Sequence, residues 1–108
     1  MKQGRIYLYN QEVGLLKEDE NGFTFEYDKD YLLQPNAEPV SLTLPLQSAP
    51  YKSNVLFPFF DGLIPEGWLL SVAENNWKIS ERDRMSLLLA CCKDCIGAVS
   101  VVPVDMEG

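Results

Sequence analysis

The chain has 108 residues, enough for one domain, and 46% of them are hydrophobic, an ordinary share for a globular protein. Sixteen acidic residues against nine basic ones give a net charge of −7, which argues against direct binding to a phosphate backbone. No apolar run approaches the ~18 residues of a membrane span, and the start, Met-Lys-Gln-Gly-Arg before Ile6–Tyr9, is too short for a signal-peptide core, so a cytoplasmic, non-membrane protein is expected.

Arg5–Tyr9 alternates polar and apolar residues and reads as a strand. Asn10-Gln11 is read as a turn, and Glu12–Leu16 as the returning partner strand. Lys17–Asn21 is charged and turn-like and closes at Gly22. Phe23–Tyr27 has the period of a half-buried strand, with the rings at 23, 25 and 27 on one face, which is read as core. Asp28–Leu33 suggests a helical turn, Gln34–Pro39 a loop, Ser41–Leu44 a short strand stopped by Pro45, and Gln47–Asn54 an exposed turn.

The segment Phe-Pro-Phe-Phe-Asp-Gly-Leu-Ile-Pro-Glu-Gly-Trp, residues 57–68, has the densest information in the chain. Prolines at 58 and 65 fix φ, and Gly62 and Gly67 open backbone conformations that other residues reach only with strain. A first helix is expected over Pro65–Asn75, with Pro65 in its first turn and Trp68, Leu69, Val72 and Ala73 on one face. Trp77 is expected to cover the edge of the core. A second helix is expected to open at Ser80, with Asp83 three residues on as a weak capping box and Met85, Leu88, Leu89 and Cys92 facing inward. Gly97 ends that region, and Ala98–Val104 is a β-branched run that should return to the sheet, with Pro103 at an edge. Asp105–Gly108 is read as a frayed tail or the edge of a truncated domain. The fold class is therefore α+β: a small antiparallel sheet with two main helices packed on it, in a single domain over residues 1–108.

Catalytic machinery is missing from the pattern. The chain contains no histidine, so Ser-His and Cys-His nucleophile pairs are excluded, and no phosphate-cradling glycine loop or kinase signature occurs. Asp61 and Glu66 are the only carboxylates of the aromatic segment. A turn role suits Asp61 before Gly62, and the positive end of a helix dipole suits Glu66 beside Pro65, so neither requires a substrate. Cys91, Cys92 and Cys95 are an odd set without histidine, and with only Asp94 to complete it, a zinc site is a poor reading; reduced, mostly buried cysteines are expected. No metal and no cofactor is expected.

Residues 59–68, Phe-Phe-Asp-Gly-Leu-Ile-Pro-Glu-Gly-Trp, closely resemble the Phe-Phe-x-Gly-Leu-Leu-Pro-Glu-Gly pattern of HipA-type kinase N-terminal domains (N-subdomain 1). Val13-Gly14-Leu15-Leu16 resembles the family's hairpin, and Phe23–Tyr27 followed by Tyr31-Leu32 its next strand and turn. Ser41–Leu46 is similar to Ser-Leu-x-Leu-Pro-Leu, and Asp94–Val99 to Asp-Cys-x-Gly-Ala-Val. The likeness runs from about residue 5 to residue 104, and the order and spacing of the motifs make it specific.

HipA-type proteins carry a large kinase core after this module, and the chain holds none of it, so no catalytic residue is carried over. The resemblance implies a toxin–antitoxin setting. It points to a free-standing HipS-like protein of a three-component HipBST system, beside a shortened HipA-like kinase (HipT-type) and a HipB-like DNA-binding repressor, in which the small protein can act as antitoxin. Phe59, Phe60, Asp61, Leu63, Ile64, Pro65, Glu66 and Trp68 are then the expected partner-binding residues, with Trp68 wedged near the nucleotide cleft; the alternative for Trp68 and for the Phe57–Phe60 cluster is core. Two other readings are an assembly or activating subunit of a kinase–repressor complex, and an isolated N-terminal fragment of a full-length HipA kinase.

Overall fold

A computed structural model describes residues 2–64, 83–91 and 98–104. Five strands form one antiparallel sheet: β1 (Lys2–Leu8), β2 (Gln11–Asp19), β3 (Gly22–Tyr27), β4 (Tyr51–Ser53) and β5 (Val99–Pro103), in the order β4-β3-β2-β1-β5. The antiparallel sheet of the α+β expectation is present. Of the two expected main helices, the one over 65–75 lies outside the described residues, as do Trp77, Gly97 and the tail.

The register explains the burial. Gly4 pairs with Leu16 and Leu16 with Phe25; Ile6 pairs with Gly14 and Val101, and Gly14 with Tyr27. One face therefore stacks Ile6, Leu16, Phe25, Tyr27 and Val101, all essentially inaccessible to solvent. The β-branched run Val99–Pro103 returns to the sheet as expected and lies along β1, with Pro103 on an edge strand. The rings at 25 and 27 are core, and Phe23 packs against it half-buried.

Three turns differ from the sequence reading. The first hairpin turns at Tyr9-Asn10, one residue early, with φ of 51° and 70°. Two consecutive left-handed residues match the twist of a two-residue hairpin, and asparagine tolerates that conformation better than tyrosine. The charged stretch Lys17–Asp19 continues β2 rather than turning, because Lys17 pairs with Thr24 and Glu18 with Phe23; only Glu20 and Asn21 remain as turn. Gly22 closes that turn at φ 125°, a region glycine enters freely, and Asn21 N–H donates to Asp19 Oδ1 at 2.8 Å. Lastly, the stretch 47–54 is not wholly exposed turn: Tyr51–Ser53 pairs with β3 as an edge strand, and Tyr51 Oη donates to the Pro45 carbonyl at 2.6 Å.

Between β3 and β4 the chain makes α1 (Lys29–Leu32), the expected helical turn, and then a long loop. Ser41–Leu44 is a tight turn joined by a single bridge, not a strand: Leu44 N–H donates to the Ser41 carbonyl at 3.1 Å, which leaves no length for a ladder. Two tyrosines hold this loop. Tyr27 Oη donates to the Leu44 carbonyl and accepts from Val40 N–H at 3.0 Å. Tyr31 Oη donates to the Glu38 carbonyl at 2.7 Å and accepts from Glu38 N–H at 2.8 Å. The two rings stack at 6.4 Å between centroids.

Two further helices follow among the described residues: α2 (Pro58–Asp61) and α3 (Arg84–Cys91). Asp83 is not the third residue of a capping box; it caps α3 itself. Its Oδ1 accepts from Ser86 N–H at 3.1 Å, its Oδ2 from Ser86 Oγ at 2.7 Å, and its carbonyl from Leu87 N–H at 3.1 Å. Met85 and Leu88 face inward as expected and Leu89 packs against the core, but Leu87 is also fully buried. The helix thus buries a wider stripe than the expected one; Cys92 lies outside the described residues. α3 approaches β1 closely at Gly4, where an added Cβ would lie 2.7 Å from Leu89 Cδ2 and 2.8 Å from Val101 Cγ1.

Candidate functional site

The aromatic segment enters α2 from Phe57 in extended conformation, with Pro58 in the first turn, where its missing N–H is not needed. Asp61 N–H donates to the Phe57 carbonyl at 2.9 Å and Gly62 N–H to the Pro58 carbonyl at 2.9 Å. Leu63 and Ile64 N–H continue with the carbonyls of Phe60 and Asp61, at 3.0 and 3.2 Å. Five apolar side chains of this stretch then divide by depth. Phe60 is wholly buried and meets Phe25 edge-on at 5.3 Å; Phe57 and Ile64 are also core. Phe59 and Leu63 are half-buried and lie against that core, with Phe59 edge-on to Phe60 at 5.2 Å.

Gly62 does not supply the left-handed conformation its place in the motif invites. Its φ is −69° and ψ −13°, ordinary helical values, because α2 simply ends through it. Asp61 does not face a second carboxylate among the described residues; it meets the Arg84 guanidinium at 2.6 Å, tying α2 to the start of α3. Arg84 carries no signal in the sequence for this role, since the pair is 23 residues apart.

Of the eight expected partner-binding residues, the structure brings Phe59, Phe60, Asp61, Leu63 and Ile64 together on α2 and the turn after it. Phe60 and Ile64 are buried, so as the chain stands alone they build the platform, while Phe59, Asp61 and Leu63 reach its surface. Pro65, Glu66 and Trp68 lie outside the described residues. So do Cys92 and Cys95, and with them the reading of the cysteine cluster.

The described surface also carries features the sequence reading passed over. Leu42 is 94% exposed at the tip of the turn that Tyr27 pins. Tyr9 projects from the first hairpin. Charges are arranged in small groups. Lys2 Nζ lies 3.2 Å from Asp83 and 3.6 Å from Glu18. Burial alone would lower the Lys2 ammonium, but Asp83 and Glu18 outweigh it and raise it. Arg5 Nη1 meets Glu12 at 2.7 Å, and the Asp28 carboxyl beside them is pushed up by burial and by Glu12. Burial also pushes the Tyr27 hydroxyl up. Among the described residues no group of His, Cys, Asp and Glu is arranged to hold a metal ion, and no helix is long and apolar enough to cross a membrane.

Comparison with known proteins places this geometry. Residues 4–102 match the model of the HipA N-terminal domain family. An uncharacterized protein of Haemophilus influenzae is 38% identical over 101 residues, covering 94% of this chain and 92% of the relative. A putative kinase, Y4mE of Sinorhizobium fredii, is 31% identical over 96 residues; the match covers 88% of this chain but 23% of that kinase. Among solved structures, the N-terminal domain of HipA toxin superposes with a TM-score of 0.78 at 34% identity, covering 98% of this chain and 95% of that one. The Shewanella oneidensis HipA–HipB–operator DNA complex matches with a TM-score of 0.72 at 28% identity, over 93% of this chain and 23% of the matched chain. The chain accordingly spans nearly all of two relatives and about a quarter of the two larger ones. With the family model covering almost its full length, the chain belongs to the HipA N-terminal domain family.

Proposed function

We propose that the chain is a non-catalytic, antitoxin-like protein that binds and neutralises a HipA-like serine/threonine kinase toxin by docking near its active site. The observation that carries this reading is the match of nearly the whole chain to a domain that makes up 23% of a putative kinase and 23% of a chain in a toxin–antitoxin complex. A domain that is joined to a larger body in one protein has a surface shaped for that body. Presented separately, the same surface competes for or completes the contact.

Docking centres on α2 and the segment after it. Phe60 and Ile64 fix the backbone from inside the core, while Phe59, Asp61 and Leu63 reach the surface. Pro65, Glu66 and Trp68 continue the contact, with Trp68 as the anchor, since tryptophan combines large area with few rotatable bonds. Phosphoryl transfer depends on positioning, so a wedge of one side chain near the nucleotide cleft lowers the rate strongly.

A second reading has its own support. The matched Shewanella structure is a complex of HipA, HipB and operator DNA, which suits an assembly subunit that completes a kinase–repressor complex of HipT-type and HipB-type partners. Co-expression separates the two. Cells arrested by a HipA-like kinase partner resume growth when this chain is co-expressed, if it is an antitoxin. Continued arrest, with the two proteins shown to bind, makes it an assembly subunit. Recovery of growth by Trp68→Ala as complete as by the parent removes the tryptophan wedge.

A further inference from the structure

The first hairpin holds a bulky residue where glycine or asparagine would be easier. Tyr9 sits at φ 51°, yet its side chain is 73% exposed and so contributes little to the core. Its backbone is fixed, because Tyr9 N–H donates to the Ala98 carbonyl at 2.8 Å. A strained backbone carrying an exposed aromatic ring indicates a use for that ring.

The ring stands at an open groove of about 290 Å³ lined by Leu8, Tyr9, Gln11, Tyr31, Asn36 and Glu38. The far wall is rigid, because Tyr31 Oη both donates to and accepts from the Glu38 backbone. Among the described residues, the side chains of Gln11, Asn36 and Glu38 have no hydrogen-bond or ion-pair partner, and none of the lining residues is basic. Arg5, on β1, is engaged by Glu12, and Lys29 at the start of α1 does not line the groove. The groove therefore offers one carboxylate, two amide oxygens and one aromatic face, on a chain of net charge −7.

We propose that this groove receives an arginine-bearing segment of a protein partner. A guanidinium stacks its plane on a phenol ring while its N–H fork donates to a carboxylate and to amide oxygens, a combination an ammonium serves less well. The backbone on both walls is held before any partner arrives, which limits the ordering that binding must supply. It is separate from the α2 segment, and its test does not require the kinase.

The probe is an acetylated hexa-arginine peptide, titrated at low salt into the isotope-labelled full chain and followed by NMR, with hexa-lysine alongside. The expected result is saturable shifts centred on Tyr9, Gln11, Asn36 and Glu38, including the side-chain amides of Gln11 and Asn36, with hexa-lysine binding at least threefold more weakly. Tyr9→Gly removes the ring and suits the left-handed backbone, so it should fold with an unchanged or higher Tm and bind at least fivefold more weakly; Glu38→Gln should weaken binding comparably. Absent shifts, shifts centred on the acidic turn at Glu18–Asn21, or parent-like binding by Tyr9→Gly would each overturn the proposal. Growth rescue by co-expression is read separately, so this site and the antitoxin reading fail independently.

Discussion

Asp61 Oδ1 and Arg84 Nε lie 2.6 Å apart and join α2, the start of the family's signature segment, to the first turn of α3. The pair is partly exposed, with 40% of the Asp61 side chain and 32% of the Arg84 side chain open to solvent. Pairs of this kind contribute about 0.2–1 kcal/mol. Asp61→Asn should therefore lower Tm by no more than a few degrees, and the loss should shrink in high salt. A larger drop in a thermal melt would mean that the pair positions α3. With the fold intact, any loss of kinase binding by Asp61→Asn reports on the surface and not on unfolding.

Two glycines should respond oppositely. At Gly22, φ is 125° and an added Cβ would lie 2.4 Å from the Ser53 carbonyl oxygen, a backbone atom that cannot swing aside. Gly22→Ala should cost about 1–3 kcal/mol and loosen the β3–β4 edge. At Gly62 the backbone is helical, and the nearest atom to an added Cβ is the Pro58 oxygen at 3.3 Å. Gly62→Ala should leave the melting temperature within a few degrees of the parent. Equal destabilisation by both substitutions in parallel thermal melts would refute this difference.

The sheet was legible because its strands obey a simple period. Phe23, Phe25 and Tyr27 alternate with polar residues, and Val99, Val101 and Val102 are β-branched, so both segments are readable without long-range information. Tyr51–Ser53 was not, because three residues are too few to show a period and Lys52 and Ser53 look like turn; pairing with β3 makes them a strand. Tyr9 reads as strand in the sequence because an aromatic is an unusual choice for a left-handed position. At the candidate site, the depth of Phe60 and Ile64 depends on rings brought from β3, and the Asp61–Arg84 contact depends on how α2 meets α3. Local sequence carries neither. The family likeness, by contrast, was fully visible in the motifs, since it rests on residue order and not on geometry.

Tyr27 should hold the loop over 40–44 by its hydroxyl. The oxygen is buried and bonded to both the Val40 N–H and the Leu44 carbonyl. Tyr27→Phe keeps the ring contact with Phe25, at 4.8 Å between centroids, but strands both backbone groups. The expected cost is about 1–3 kcal/mol, the penalty for leaving buried polar groups unpaired. Amide exchange at Val40 and Leu44 should accelerate more than exchange in β1 and β2. Unchanged protection at Val40 would show that the loop is held by Val40 and Leu44 packing alone.

Asp28 and Asp83 should give opposite dependences of stability on pH. Burial and the adjacent Glu12 raise the folded-state pKa of Asp28, with Asp30 adding and Arg5 opposing. A raised carboxyl binds its proton more tightly when folded, so its contribution is complete below the unfolded pKa, near 4, and is lost as pH rises through the folded value. Asp28→Asn should therefore stabilise the chain at pH 7, and its advantage should vanish toward pH 3.5. For Asp83, burial alone would raise the pKa, but the Ser86 hydroxyl and amide, with Lys2, outweigh it and hold it below the usual value. Its contribution is present above the unfolded pKa and is lost as pH falls through the folded one. Asp83→Asn should destabilise at pH 7, chiefly through the lost charge on Lys2 and Ser86, since asparagine is itself a good helix cap. That deficit should narrow as the pH is lowered through the folded pKa. Thermal melts of the parent and both variants between pH 3 and pH 8 decide it: curves for Asp28→Asn and Asp83→Asn that diverge from the parent in the same direction at pH 7 would contradict the assignment of one group as strained and the other as satisfied.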